Sequence, residues 1–152
     1  MKLLTLFVLL SFITNTYSDC NDDFNNGLSE YNFASQYFES GIQKHKEAVA
    51  LSLTSNPDFF KICNILVDSV TGFSVAQSSY LNCMLDFHSA ITTCSGSDSA
   101  EAKQNKEVCR NNEDIADDNL TTLRALLKNT CFSTKSNYQN IIRSSYLEQI
   151  DI

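Results

Sequence analysis

Residues 57–94 read PDFFKICNILVDSVTGFSVAQSSYLNCMLDFHSAITTC. Their apolar members, Phe59, Ile62, Leu66, Val70, Phe73, Ala76, Tyr80, Met84, Phe87, Ile91 and Cys94, recur at steps of three or four, the period of one face of an α-helix. Asn56 and Pro57 supply a start. An asparagine accepts from the free N–H groups of a first turn, and proline loses nothing at the first helical position. The spacing predicts one long helix over 57–94, with Gly72 as the place where it would kink. Cys63, Cys83 and Cys94, three of the six cysteines, sit on it, so the rest of the chain has to fold back against this face.

Upstream, 19–27 is rich in Asp and Asn and contains an Asn26-Gly27 step, which reads as an extended lead-in with a turn. A second helix over 29–54 follows, capped by Ser29, with Leu28 stapled onto Phe33 and a stripe at Tyr31, Ala34, Phe38, Ile42, His45, Val49 and Leu53. It stops before Pro57, which pushes the preceding residue out of the helical region. Downstream, Ser95-Gly96-Ser97 is a turn, and Asp98 with Glu101 forms a capping box that opens a third helix over 98–131. Beyond Cys131, Ser136 and Gln139 cap a short fourth helix over 137–150, striped by Tyr138, Ile141, Ile142, Tyr146 and Ile150. The fold class is all-α: an antiparallel bundle of three long helices tied by disulfides, with the short fourth helix added.

Lys2, the apolar run Leu3 to Ile13 and the small Ser18 make 1–18 a secretory signal peptide, leaving 19–152 as a single helical domain. Its removal takes away one lysine and no acid, so the net charge moves from −7 to −8. That charge disfavours nucleic acid and anionic membrane surfaces as partners. No later run reads as a membrane span. One proline and four glycines in 152 residues favour helices over short strands. Six cysteines in an oxidising compartment, none spaced C-x-x-C and with two histidines in the chain, read as three disulfides rather than a metal site.

Antiparallel helices bring residues equidistant from their turn side by side, and this selects a pairing. Cys83 and Cys109 are symmetric about position 96, and Cys63 and Cys131 about position 97, both inside the Ser95–Ser97 turn. Reflection of Cys94 through position 57 lands on Cys20. The lead-in from Cys20 to Leu28 reaches roughly 30 Å when extended, enough to absorb a late helix start. Cys83 and Cys94, by contrast, would stand about 16 Å apart on one helix, beyond disulfide reach.

Few residues offer chemistry. Gly72-Phe73-Ser74-Val75-Ala76 approaches the G-x-S-x-G nucleophile elbow, which needs a strand before the serine and a helix after it; here it lies inside a helical stripe, with no orienting base or acid. His45 and His88 fall on separate helices, well over 20 Å apart along the axis. Glu113, Asp114, Asp117 and Asp118 form a solvated acidic face without the glycine turn of a calcium loop. Asn119-Leu120-Thr121 is a glycosylation sequon.

Ten aromatic rings of 19–152, among them Phe38, Phe59, Phe73, Tyr80 and Phe87, crowd the stretch before His88, and none falls between His88 and Cys131. They either interlock with small residues of the third helix into a dry core or line a cavity for a lipid-like ligand. The cysteine spacing differs from that of insect odorant-binding proteins, whose second and third cysteines lie close together where Cys63 and Cys83 do not. The Tyr80-x-x-Cys83 step resembles secreted insect gut proteins of the TsetseEP type, and a single step assigns no family. The reading is a secreted, non-enzymatic helical protein that binds an extracellular partner. The alternative is a carrier of a small apolar ligand, with no metal or cofactor in either case.

Overall fold

The computed structural model describes residues 19–132. Three helices fill this span: α1 (Cys20–Ser52), α2 (Phe59–Thr93) and α3 (Gly96–Cys131), and no strand occurs among the described residues. The signal segment 1–18 and the fourth helix expected over 137–150 lie outside the described residues.

The helix ends differ from the sequence expectation in instructive ways. α1 begins at Cys20, not Ser29, so the supposed lead-in is helical. Asp19 caps it by accepting from the Asn21 N–H at 3.4 Å, and Asp22 and Asp23 place negative charge at the positive end of the helix dipole. α2 begins at Phe59, capped by Asp58 rather than Asn56, with the Asp58 carboxylate accepting from the Lys61 N–H at 3.0 Å. α3 begins at Gly96 after the N-cap Ser95, which makes no side-chain cap bond; Asp98 sits inside the first turn, where Ser97 Oγ donates to it at 3.1 Å. The link from α2 to α3 is thus Cys94 and Ser95 alone, and it turns on Gly96 at φ 61°, a conformation that disfavours other side chains.

α2 lies in the middle. α1 and α3 each pack along its length and scarcely touch one another. The contacts follow a seven-residue period, which keeps one face of each long helix against its neighbour at a shallow crossing of about 20°. α1 presents Gly27, Ala34, Gly41 and Ala48; α2 presents Leu66, Phe73, Tyr80 and Phe87; α3 presents Ala102, Cys109, Ala116, Leu123 and Thr130. Large side chains therefore fill the notches left by small ones. A Cβ on Gly27 would come within 2.9 Å of the Phe87 ring, and one on Gly41 within 2.8 Å of the Phe73 ring. The rings that were expected to interlock with α3 meet the small residues of α1 first.

Gly72 is a contact point between helices. α2 runs unbroken through it, and a Cβ there would stand 3.0 Å from the Gly41 Cα. The two backbones meet closely enough for Ser69 Oγ to donate to the Gly41 carbonyl at 2.8 Å. Phe24 against Phe87 and Phe38 against Phe73 add edge-to-face pairs at 5.3 and 5.1 Å. Each fully buried large side chain contributes about 1.5–3 kcal/mol from the apolar area it removes from water.

Candidate functional site

The cysteines fix the register. The structure joins Cys20 to Cys94, Cys63 to Cys131 and Cys83 to Cys109, with Cα separations of 4.8, 5.8 and 6.0 Å; these are the pairs that reflection through the two turns brings side by side. The first bridge closes the upper end of the α1–α2 pair, the second the lower end of the α2–α3 pair. Three intramolecular bridges are consistent with an extracellular or secreted protein.

Because α1 and α3 scarcely touch, a groove runs between them over α2. Its upper part is a depression of about 220 Å³ lined by Leu28, Tyr31, Phe87, Asn105, Val108 and Cys109. The flanks continue at seven-residue intervals: Leu28, Ser35 and Ile42 with Tyr31 and Phe38 on α1, and Asn105, Asn112 and Asn119 with Val108 and Ile115 on α3. None of these ten residues is charged. Val108 and Ile115 are 41% and 49% exposed. The asparagines are partly turned onto their own helix, Asn112 and Asn119 donating to the Val108 and Ile115 carbonyls at 2.9 and 2.8 Å. A glycan on Asn119 would have to displace that second bond. Above the depression the groove turns acidic, where Asp98 and Glu101 face Cys20, Asn21 and Phe24.

Of the five aromatics expected to line a ligand cavity, Phe73, Tyr80 and Phe87 are buried and packed, and Phe38 and Phe59 are partly buried against the same core. Phe87 alone among them borders the open depression. Tyr80 is held by polarity as well as packing. Ser35 Oγ donates to the Tyr31 carbonyl at 2.9 Å, leaving its oxygen to accept from the Tyr80 hydroxyl at 3.2 Å, while burial raises the Tyr80 pKa above its ordinary value.

The opposite face of α2 looks away from both neighbours. Phe60, Val67, Leu81 and Leu85 are exposed there, and positions 60, 67, 74, 81 and 88 again step by seven. No charged residue occurs between Asp68 and Asp86. The sequence expectation of no apolar run of spanning length needs correction: α2 is long and apolar enough, by length and composition, to cross a membrane. A core helix satisfies the same criteria, and α2 carries α1 and α3 along two of its sides.

The other chemical candidates separate. Ser74 lies in the unbroken helix, its carbonyl accepting from Ser78 Oγ at 3.1 Å, and the strand-to-helix elbow of a nucleophilic serine is not formed there. His45 is buried with Nε2 lacking a hydrogen-bond partner, and burial lowers its pKa. His88 is exposed on α2 with Lys106 Nζ 3.4 Å from its Nδ1. Of the acidic group on α3, Asp114, Asp117 and Asp118 are exposed, and Glu113 and Asp117 also accept from Gln77 Nε2 of α2 at 3.1 and 2.7 Å.

One residue was missed altogether. Asp23, assigned to the lead-in, is buried and accepts from Ser89 Oγ at 2.8 Å and Thr93 Oγ1 at 2.9 Å. It stands near Asp86, whose pKa is raised by burial and then by the charges of Glu30 and Asp23. Among the described residues no group of His, Cys, Asp and Glu could hold a metal ion. Compared with known proteins, the chain matches no family model, no curated protein sequence and no solved structure.

Proposed function

We propose that this is a secreted, non-enzymatic helical protein that binds an extracellular protein through the outward face of α2. The observation that carries this reading is the row Phe60, Val67, Leu81 and Leu85, exposed on a helix with no charge from 69 to 85 in a chain of net charge −7. Exposed apolar side chains at the two ends of an uncharged helix face, with the small polar Thr71, Ser74 and Ser78 between them, offer an interaction surface whose lack of carboxylates spares a partner the cost of burying them. The occupant is a protein presenting an apolar surface. Cleavage after Ser18 and export complete the proposal, and the three disulfides support it.

A photo-crosslinking amino acid at Leu81, with one at the exposed Glu107 on α3 as control, tests it in the secreted full chain. The expected result is one protein adduct, identified by mass spectrometry, formed from position 81 alone and lost on Val67→Glu. Equal labelling from both positions, or none from position 81, refutes it.

A second reading, the carrier of a small apolar ligand, is favoured by the depression bordered by Leu28, Tyr31, Phe87 and Val108. Native mass spectrometry of the protein purified without denaturation decides that one. A co-purifying lipid-sized mass that is lost on Val108→Glu supports it, and a bare protein mass counts against it.

A further inference from the structure

We infer that the upper depression takes a small primary amine, its apolar body lying over Phe87 between α1 and α3 and its ammonium group set against Glu101 and Asn105. Occupancy by a small apolar ligand is the second reading above, on which this assignment of charge rests. Two hollows adjoin at this end of the groove. One, of about 220 Å³, is lined by Leu28, Tyr31, Phe87, Asn105, Val108 and Cys109; the other, of about 180 Å³, is lined by Cys20, Asn21, Phe24, Asp98 and Glu101. Phe87 of the first and Phe24 of the second pack edge-to-face at 5.3 Å. Glu101 and Asn105 stand four residues apart on α3, so a molecule beside Asn105 lies one helical turn from the carboxylate. The apolar hollow is smaller than the roughly 300–1,000 Å³ of drug-sized sites, which restricts its occupant to a short chain or a single ring.

Two polar groups of the apolar hollow are left for a ligand. Asn112 and Asn119 donate to their own helix, whereas Asn105, at the same seven-residue position, makes no hydrogen bond among the described residues, and neither does the Tyr31 hydroxyl. An ammonium brings three donors and no acceptor, which the Asn105 side-chain carbonyl, the Tyr31 hydroxyl and the Glu101 carboxylate complement. The surrounding charge selects the same sign. No Lys or Arg occurs from 19 to 43 or from 62 to 102. The first cations of α3 lie off the groove: Lys106 Nζ is 3.4 Å from Nδ1 of His88 on the outward row of α2, and Lys103 stands two seven-residue repeats before Asp117, on the flank that meets Gln77. Asp98 and Glu101 are exposed and enter no ion pair among the described residues. The dipoles of α1 and α3, whose N-terminal ends lie here, oppose a cation, but that field falls off within the first turn. Asp98 sits in that turn and accepts from Ser97, so Glu101, beyond it, is the carboxylate free for a ligand.

Titration of the full-length, disulfide-intact protein with hexylammonium, hexan-1-ol and hexanoate tests this, the nuclear magnetic resonance signals of the Val108 and Asn105 amides reporting occupancy. The three probes share a body and differ in the head, and at pH 7 the amine is charged as a lysine side chain is. Salt at about 0.15 M screens carboxylates farther than about 8 Å. Hexylammonium should bind about fivefold more tightly than hexanol, the factor that one exposed ion pair supplies, and hexanoate more weakly than hexanol. Glu101→Gln, a change at an exposed position, should bring the preference for the amine over the alcohol to about one. Glu107→Gln, also exposed but turned away from the groove, should leave it at about fivefold. Hexanol bound as tightly as hexylammonium, or a preference that survives Glu101→Gln or is lost with Glu107→Gln, overturns the amine while the carrier reading stands. Binding of none of the three overturns both.

Discussion

Replacing either of the two glycines where α1 and α2 cross separates two kinds of contact. At Gly72 a methyl group would stand 3.0 Å from the Gly41 Cα, the Gly41 nitrogen and the Tyr37 carbonyl oxygen, all of them backbone. α1 has to move bodily to admit it. Overpacking of this kind costs about 1–3 kcal/mol, with backbone at the upper end, and the better helix propensity of alanine returns about 1 kcal/mol. Gly72→Ala should therefore lose about 1–2 kcal/mol net. At Gly41 the added methyl meets the Phe73 ring at 2.8 Å, a side chain pinned edge-on to Phe38. Gly41→Ala should lose a similar amount, but by a route that Phe73→Leu relieves, because leucine can rotate its δ carbons away. Unfolding in guanidinium with disulfides intact reads 1–2 kcal/mol as a midpoint shift of about 0.3–0.6 M. The double variant Gly41→Ala with Phe73→Leu should be more stable than additivity predicts by about 1 kcal/mol. If Gly72→Ala instead raises the midpoint, as propensity alone would, the helices are not pressed together at that crossing and the register described above is wrong.

Three further outcomes follow from the same geometry. His45 is buried and its pKa is pushed below the ordinary value of 6.5, so the native state binds fewer protons than the unfolded chain; stability should be full above about pH 6.5 and fall as the pH drops through that value, and urea midpoints at pH 8 and pH 5 should converge in His45→Leu relative to the parent. Asp23→Ala leaves Ser89 and Thr93 without their carboxylate acceptor and should cost about 1–3 kcal/mol, with hydrogen exchange in 20–27 rising before that of the rest of α1; uniform loss of protection along α1 would refute the local anchoring role. Peptide mapping of the non-reduced protein should give Cys20–Cys94, Cys63–Cys131 and Cys83–Cys109, and Cys94 found joined to Cys109 would dismantle the α2–α3 register.

Much of the helical layout was open to reading because α2 is apolar on a helical period and the Ser95–Ser97 turn lies between long segments of similar length. What stayed hidden lies in residues whose packing role leaves no hydrophobic signal. Gly27 and Gly41 contribute nothing to an apolar stripe, so the stripe of α1 centred itself on Tyr31, Phe38 and Ile42, which lie on the flank; the true line of contact is the small-residue series Gly27, Ala34, Gly41 and Ala48. The segment 19–27 shows the converse error. Its Asp, Asn and Gly residues favour turns locally, yet Asp23 docks on Ser89 and Thr93 and Gly27 admits the Phe87 ring, so tertiary contacts hold it helical. The groove was not legible at all, since it depends on α1 and α3 scarcely touching, which no single segment encodes.

The distribution of charge bears most directly on what the molecule is for. α2 has three charged side chains in 35 residues, Lys61, Asp68 and Asp86, while α3 has twelve in 36. Contact with α1 and α3 explains the apolar character of two sides of α2. It does not explain the third, where a helix facing water ordinarily carries Lys and Glu and where Phe60, Val67, Leu81 and Leu85 stand among uncharged Asn64, Thr71, Ser78 and Asn82 instead. Those four contribute little to the fold, since their side chains are 43–76% exposed and removing them opens no cavity. Polar residues there would cost the fold almost nothing and would favour solubility, so the stability of the bundle supplies no reason for the strip. On the reading proposed above, a surface that is apolar without serving the core is accounted for by a partner outside the chain, met on the side of α2 remote from the groove.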